Sequence, residues 1–256
     1  MAYIYGPVPS WRLGRSLGVD PISTEAKTCS FDCIYCQLGR TRYPVTERCL
    51  FVRAHELAVE LESLEEMAID YVTFSGMGEP TLAANLGELV ETVRRYVPYP
   101  IAILTNASLM ARVDVRHDLA CFDLVVVKVD ASNEGLFRRI NRPFANYRVE
   151  EIIEGIRRFR EEFEGRLALQ MMFVQANRHR AAEMAQIARQ LQPDEVQLNT
   201  PLRPSLAEPL SPAEMGEIEA QFAGLSVRNV YQAERPKVAP LDEEATRRRK
   251  PKASGK

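Results

Sequence analysis

The chain has 256 residues, enough for one large α/β domain with a substantial core. Hydrophobic content of 46% and charged content of 27% match an ordinary soluble globular protein, and no stretch approaches the ~18 apolar residues of a membrane span. The start, MAYIYGPVPSWRLGRSLG, lacks a basic segment followed by an apolar run, so no secretory signal is expected. Five cysteines, an odd number and mostly clustered, do not resemble a disulfide framework; they point to a reducing cytoplasm and to metal. The net charge of −2 hides an asymmetry. Six of the 33 basic residues fall in the last ten, RRRKPKASGK, and the remaining 27 face 35 acidic ones, a body of −8. An acidic body argues against a broad nucleic-acid-binding face. Residues 1–233 are expected to form the domain, and 234–256 a linker with a basic, disordered tail.

In chain order, a first strand is expected near ISTEAKT, just before Cys29. The runs DYVTFS (70–75), IAILTN (101–106), DLVVVKVD (123–130), LALQMMFV (167–174) and EVQLNT (195–200) read as buried strands, rich in β-branched and large apolar residues. Helices lie between them. Asn85 with Glu88, and Ser211 with Pro212 and Glu214, resemble capping boxes, and VEEIIEGIRRFREEF (149–163) has helical apolar spacing. Such alternation means a parallel sheet with right-handed crossovers and six β/α units. Thr73 with Ser75, Lys128 with Asp130, Gln170 with Met172, and Gln197 with Asn199 put polar side chains on one face of several strands. That pattern predicts a lined cavity, hence a partial, open (β/α)6 barrel of α/β class, with chemistry at the carboxyl ends of its strands.

The stretch TCSFDCIYCQLG (28–39) carries Cys29, Cys33 and Cys36 with no local fourth ligand. Three thiolates can hold three corners of a [4Fe–4S] cluster and leave one iron open, whereas zinc asks for a fourth protein ligand. His55, His117, His179 and Cys49 all lie outside the segment, so a distant ligand and zinc stay open on spacing alone. A second motif, FSGMGEP (74–80), follows the second strand. Gly76 and Gly78 suit close backbone approach, and Glu79 can accept a charge-assisted hydrogen bond.

CSFDCIYC, with an aromatic residue before its last cysteine, resembles the C-x3-C-x2-C motif of the radical S-adenosylmethionine (SAM) superfamily, and FSGMGEP resembles that superfamily's Gly-Gly-Glu motif. The resemblance implies a partial TIM-like barrel and a [4Fe–4S] cluster on Cys29, Cys33 and Cys36, with SAM on the vacant iron. It places Tyr35 against the adenine, Gly76, Gly78 and Glu79 near the methionine ammonium, and Lys128 and Asp130 near the carboxylate and ribose. Ser132 is a further candidate there. Thr105, Asn106, Gln170, Asn199 and Thr200 are candidates for the cavity wall, with Asn199 and Thr200 also taken as cofactor contacts. GPVPSWRLGRSLGVD, LTNASLM, INRP and VQLNTPLRP extend the likeness over about residues 4–225, to a prokaryotic group filed near the wyosine-synthesis enzymes of tRNA. Trp11 departs from that pattern where another Arg is expected beside Arg12, which weighs against an anion-binding turn there.

The implied chemistry is reductive cleavage of SAM to a 5′-deoxyadenosyl radical that takes hydrogen from a substrate. No cysteine follows Cys121, so neither an auxiliary cluster nor a C-terminal methyl-carrying cysteine is expected. Arg15, Arg40 and Arg42 lie near the cluster segment, while Arg138, Arg139, Arg142 and Arg148 accompany Phe144 and Tyr147 after the fourth strand. Arg15, Arg40 and Arg142 are taken as substrate candidates. Arg beside aromatics suits RNA, so modification of RNA, foremost tRNA, is the expected function; the alternatives are a peptide or an anionic small molecule. The partners expected are a reductant such as ferredoxin or flavodoxin and an anionic substrate, with no membrane, for a monomer or weak dimer. The rival to an enzyme is an iron–sulfur electron-transfer or zinc-binding module.

Overall fold

The computed structural model describes residues 2–251. It opens with a hairpin, β1 (Ile4–Ser10) antiparallel to β2 (Gly14–Val19), ahead of the place where the first strand was expected. ISTEAKT is bent and contributes only Thr28, the first residue of β3 (Thr28–Cys29), which ladders with β4 (Tyr43–Pro44). The reason is local. Asp20 Oδ1 accepts from the amides of Ile22 (3.1 Å) and Ser23 (2.9 Å), a side-chain turn, and Ser23 has φ 41, outside the extended region.

The chain continues through α1 (Ala54–Glu62), β5 (Tyr71–Phe74), α2 (Leu86–Tyr96), β6 (Ile101–Thr105), α3 (Val113–Leu119) and β7 (Leu124–Lys128). Then come α4 (Glu134–Ile140), α5 (Val149–Glu162), β8 (Arg166–Met172), α6 (Ala181–Leu191), β9 (Glu195–Asn199), α7 (Pro212–Ala220), β10 (Val227–Asn229) and α8 (Glu243–Arg249). The main sheet runs β1-β2-β5-β6-β7-β8-β9-β10 and is curled into an open half-barrel; every pairing after the hairpin is parallel. The six β/α units are therefore present, with β2 as their first strand and β10 as an additional short one. Ser211 forms the expected capping box with Glu214. Asn85 stands at the N-cap position of α2, but its side chain accepts no capping hydrogen bond: Nδ2 donates to the Val52 carbonyl (3.1 Å) and to Glu88 (3.3 Å), and Oδ1 has no partner among the described residues.

The helices bury apolar faces against the outside of the sheet. Inside the barrel, Leu13 from the β1–β2 turn packs with Ala102, Leu124, Val126 and Ala168, plugging one end. Above this plug the lumen is polar, as the strand patterns predicted: Ser16 hydrogen-bonds Thr73 (2.7 Å), and the Tyr5 hydroxyl meets Ser75 Oγ (2.7 Å).

The expected disordered tail is corrected over 243–251; residues 252–256 lie outside the described residues. Asp242 caps α8 through the Ala245 amide (2.9 Å), and α8 packs on β1. The acidic first turn and basic last turn of EEATRRR complement the helix dipole. Arg249 is fully buried. Its Nε donates to Asp20 Oδ2 (2.7 Å), its Nη2 to the Ala2 carbonyl (2.6 Å) and Ser23 Oγ (3.1 Å), and its guanidinium covers the Tyr5 ring. A charge so placed holds the segment down, because removing either partner strands the other in a low-dielectric interior. Arg249→Ala should therefore destabilise the protein by about 3–5 kcal/mol in denaturant titrations, while the exposed Arg247→Ala should change stability by less than about 0.5 kcal/mol.

Candidate active site

Cys29, Cys33 and Cys36 sit on the loop between β2 and α1, over the carboxyl ends of the strands. The loop is held from three sides. The Asp32 amide donates to the Asn141 and Arg142 carbonyls (both 3.1 Å), the Ile34 amide to the Ile140 carbonyl (2.9 Å), and the Thr28 amide to the Met77 carbonyl (2.8 Å). The last contact joins the triplet to the GMGEP turn and explains its glycines. A Cβ on Gly78 would lie 1.5 Å from the Thr28 carbonyl oxygen, and one on Gly76 would lie 2.1 Å from the Asp20 carboxyl carbon.

Burial pushes the Cys29 thiol up to about 12 and the Cys33 thiol to about 11. Asn106 aims its side-chain amide at Cys29 Sγ (3.7 Å), and Asn141 aims its own at Cys33 Sγ (3.6 Å). Lys27, also buried, donates to the Gly39 carbonyl (3.3 Å). Burial opposes its charge, but Cys36, Cys29 and Cys33 together hold its pKa above the ordinary lysine value. Among the described residues no three His, Cys, Asp or Glu side chains converge on one ion. A cubane does not ask for that, since each thiolate binds a different iron. Three thiols with amide donors on two of their sulfurs and a buried cation beside them fit such a cluster.

Glu79 is buried and saturated. Its Oε1 accepts from Thr81 N (3.1 Å), Thr81 Oγ1 (2.8 Å) and Thr105 Oγ1 (2.7 Å), and its Oε2 accepts from Asn106 N (2.7 Å). Burial raises its pKa, partly offset by these donors. The carboxylate thus ties the ends of β5 and β6 together and steers Asn106 toward Cys29.

Tyr35, Lys128 and Asp130 come together. The Tyr35 hydroxyl donates to Asp130 Oδ2, Lys128 Nζ approaches Asp130 Oδ1 (3.4 Å), and Lys128 stands 4.7 Å over the Tyr35 ring. Asn141 donates to Asp130 Oδ2 (2.9 Å), and the Met172 amide donates to Asp130 Oδ1 (2.9 Å). Burial, then the Asp130 charge, raises the Tyr35 pKa and keeps the phenol protonated. Tyr35, Cys36, Lys128, Gln170, Asn199 and Thr200 line one lumen cavity of about 300 Å³. Thr200 is occupied structurally, bonding the Phe173 carbonyl (2.9 Å) and the Leu210 amide (2.9 Å).

Other candidates fall outside the cavity. Ser132 donates to Glu183 on α6 (2.6 Å). Arg15 pairs with Asp70 (2.7 Å), and Arg40 is exposed beside Asp32 (3.6 Å). Arg142, at φ 47, contributes its carbonyl to the cluster loop. Sequence reasoning missed Lys27 and Asn141, although Lys27 adjoins the triplet motif and Asn141 belongs to INRP.

The family model "Radical SAM superfamily" matches residues 26–188. The chain belongs to the radical SAM superfamily. Its cofactors are accordingly a [4Fe–4S] cluster and SAM. The chain is 42% identical over 205 residues to the UPF0026 protein slr1464 of Synechocystis, covering 78% of this chain and 76% of that one. Among solved structures, Streptococcus suis SuiB bound to SAM is similar at a TM-score of 0.62 and 15% identity, covering 80% of this chain and 48% of that one. Archaeal TYW1 is similar at 0.59 and 13% identity, covering 83% and 72%. The chain thus spans about half the length of SuiB, and at these identities the structural likenesses carry fold alone.

Two outcomes follow from this geometry. Anaerobic reconstitution should load about four irons, lost on Cys29→Ala, Cys33→Ala or Cys36→Ala and kept in Cys49→Ala and Cys121→Ala, as read by iron analysis. Glu79→Ala orphans the Thr105 hydroxyl and the Asn106 amide, so urea unfolding should report a loss of about 2–4 kcal/mol.

Proposed function

We propose that this radical SAM protein cleaves SAM reductively and abstracts hydrogen from an anionic substrate held in the barrel lumen. The observation that carries the reading is one cavity, lined by cationic, neutral polar and apolar side chains, with Cys36, Tyr35 and Lys128 among them. When bound, the cluster and SAM would supply an electron from an external reductant and a 5′-deoxyadenosyl radical that takes a hydrogen atom from the substrate.

The chain's own part is positioning. Asp130 fixes both Lys128 and Tyr35, and Asn141 braces Asp130 while reaching Cys33, so cluster loop and strand end move as one body. Lys128 offers an ammonium to a carboxylate, and Gln170 and Asn199 offer neutral hydrogen-bonding groups farther along the wall. The Leu13 plug closes the far end of the lumen against water, which suits a reactive radical. Gly76 and Gly78 keep the strand end close enough to the cluster loop for Glu79 to organise Asn106.

The alternative of tRNA modification rests on the arginines after β7. Arg138 pairs with Glu134 (2.6 Å) and Arg148 with Glu150 (3.7 Å), and both are exposed and outside the cavity. The likeness to TYW1 adds only fold. A lumen-held substrate is therefore the better-supported reading.

With dithionite and no substrate, reconstituted protein should release 5′-deoxyadenosine slowly, and Cys36→Ala should release none by chromatography. Lys128→Ala should weaken SAM binding about tenfold, from loss of a charge-assisted contact. A fully loaded protein that binds SAM but never cleaves it would end the enzyme reading.

A further inference from the structure

The cavity carries more positive charge than its cofactors explain. Five cationic side chains line it, and no Asp or Glu among the described residues does. Lys128 has Asp130. The other four, Arg12, Arg203, Arg235 and Lys250, form no ion pair among the described residues; the salt bridges are all made by other side chains. Arg12 Nε is buried without a hydrogen-bond partner, and its guanidinium lies 5.0 Å from the Trp11 ring. Arg203 reaches only the Pro251 carbonyl, at 3.4 Å.

The four come from separate parts of the chain: the β1–β2 turn, the loop after β9, the segment after β10, and the residue after α8. They feel one another. Burial and then Arg203 and Arg235 lower Arg12 to about 10; burial and then Arg203 and Arg12 lower Lys250 to about 7. Like charges gathered in a poorly solvated space raise the free energy of the folded chain unless an anion joins them. SAM is not that anion. Its one carboxylate is outweighed by an ammonium and a sulfonium, so it enters as a net cation. With three thiolates the oxidised cluster carries a net charge of about −1, which the net positive charge of SAM offsets, so the two cofactors together do not neutralise the four cations.

We propose that Arg12, Arg203, Arg235 and Lys250 form a phosphate site inside the barrel, and that the substrate is a small phosphorylated molecule anchored there with its organic part directed toward Cys36. Guanidinium groups match phosphate oxygens bidentately, and several around one cavity favour a dianion or a diphosphate over a single carboxylate. The apolar wall of Trp11, Leu13, Leu104, Met172 and Leu202 suits the organic part. A small molecule is favoured over RNA because Arg12, Arg203 and Lys250 are half-buried in the wall of a cavity of only about 300 Å³, with Arg235 more exposed. Of the arginines after β7, the exposed Arg138 and Arg148 are already paired, while the exposed Arg139 makes no ion pair among the described residues. The proposal rests on the lumen-held substrate of the preceding subsection, but phosphate binding is testable without any SAM cleavage.

The full chain, reconstituted with its cluster and saturated with SAM, would be titrated calorimetrically with inorganic pyrophosphate. Saturable binding is expected at or below about 1 mM, with a rise in Tm. Arg203→Gln and Arg235→Gln should each weaken it about tenfold or more, with Arg203→Lys in between. Each glutamine variant removes a mutually repelling charge, so the ligand-free Tm should hold or rise and the iron content should stay. Arg138→Gln should bind like the wild type. No saturable binding by the wild type, or equal binding in both lumen variants, overturns the site. Tight tRNA binding that pyrophosphate cannot displace and that survives Arg203→Gln overturns the small-molecule assignment. Failure of SAM cleavage with pyrophosphate binding intact would sink the catalytic reading and leave the phosphate site standing.

Discussion

The Asp20 carboxylate is the contact on which the active end of the barrel depends. It is buried and receives four donors: the amides of Ile22, Ser23 and Met77, and Nε of Arg249. Those donors belong to the turn leading into the cysteine loop, to the GMGEP turn and to α8. One charge thus fixes the relative position of three segments that no common strand or helix joins. The geometry leaves no slack, since any side chain at Gly76 would occupy the carboxylate's space. Because an unpaired buried carboxylate is so costly, the Arg249–Asp20 pair ties α8 to the barrel.

A second carboxylate repeats the principle one strand over. Glu79 gathers donors from its own turn and from the end of β6, and one of them is the backbone of Asn106, whose side chain faces Cys29. Asp130 does the same beyond β7, with Asn141 facing Cys33. Two strand ends therefore use a buried carboxylate to orient an amide toward a cysteine sulfur. Burial keeps the Cys29 and Cys33 thiols from ionising easily without iron, and Lys27 supplies a compensating positive charge. The donor set is preorganised for thiolates it does not by itself stabilise.

The central strands were legible because β7, β8 and β9 are dense in β-branched and large apolar residues, with polar side chains recurring at period two on the lumen face. The β2 strand was not, since GRSLGV has two glycines and a charge and owes its place to pairing with β1 and β5. The α8 helix hid behind its composition. RRRK reads as a solvated tail, although Asp242 and the two glutamates after it are an ordinary helix start. The cysteine triplet and GMGEP were legible because their chemistry needs those residue types at short spacing. Arg12, Arg203, Arg235 and Lys250 could not be found that way. They lie up to most of the chain apart, and only the curl of the sheet brings them to one cavity.

That difference separates two layers of the molecule. The cysteines, Glu79, Lys128, Asp130 and Gln170 all fall within residues 26–188, the part that matches the superfamily model. The four unpaired lumen cations all fall outside it. Radical chemistry requires the same cluster and cofactor whatever is acted upon, so the residues serving them belong to the shared part. Substrate recognition requires particular charge and shape, and the hairpin, the loop after β9 and the α8 segment are free to differ in both. The Arg249–Asp20 pair joins the layers, because the contact that anchors α8 beside the GMGEP turn also delivers Lys250 to the lumen. A change that loosened α8 would therefore act both on Lys250 in the cavity and, through Asp20, on the turns that carry the cysteines and GMGEP.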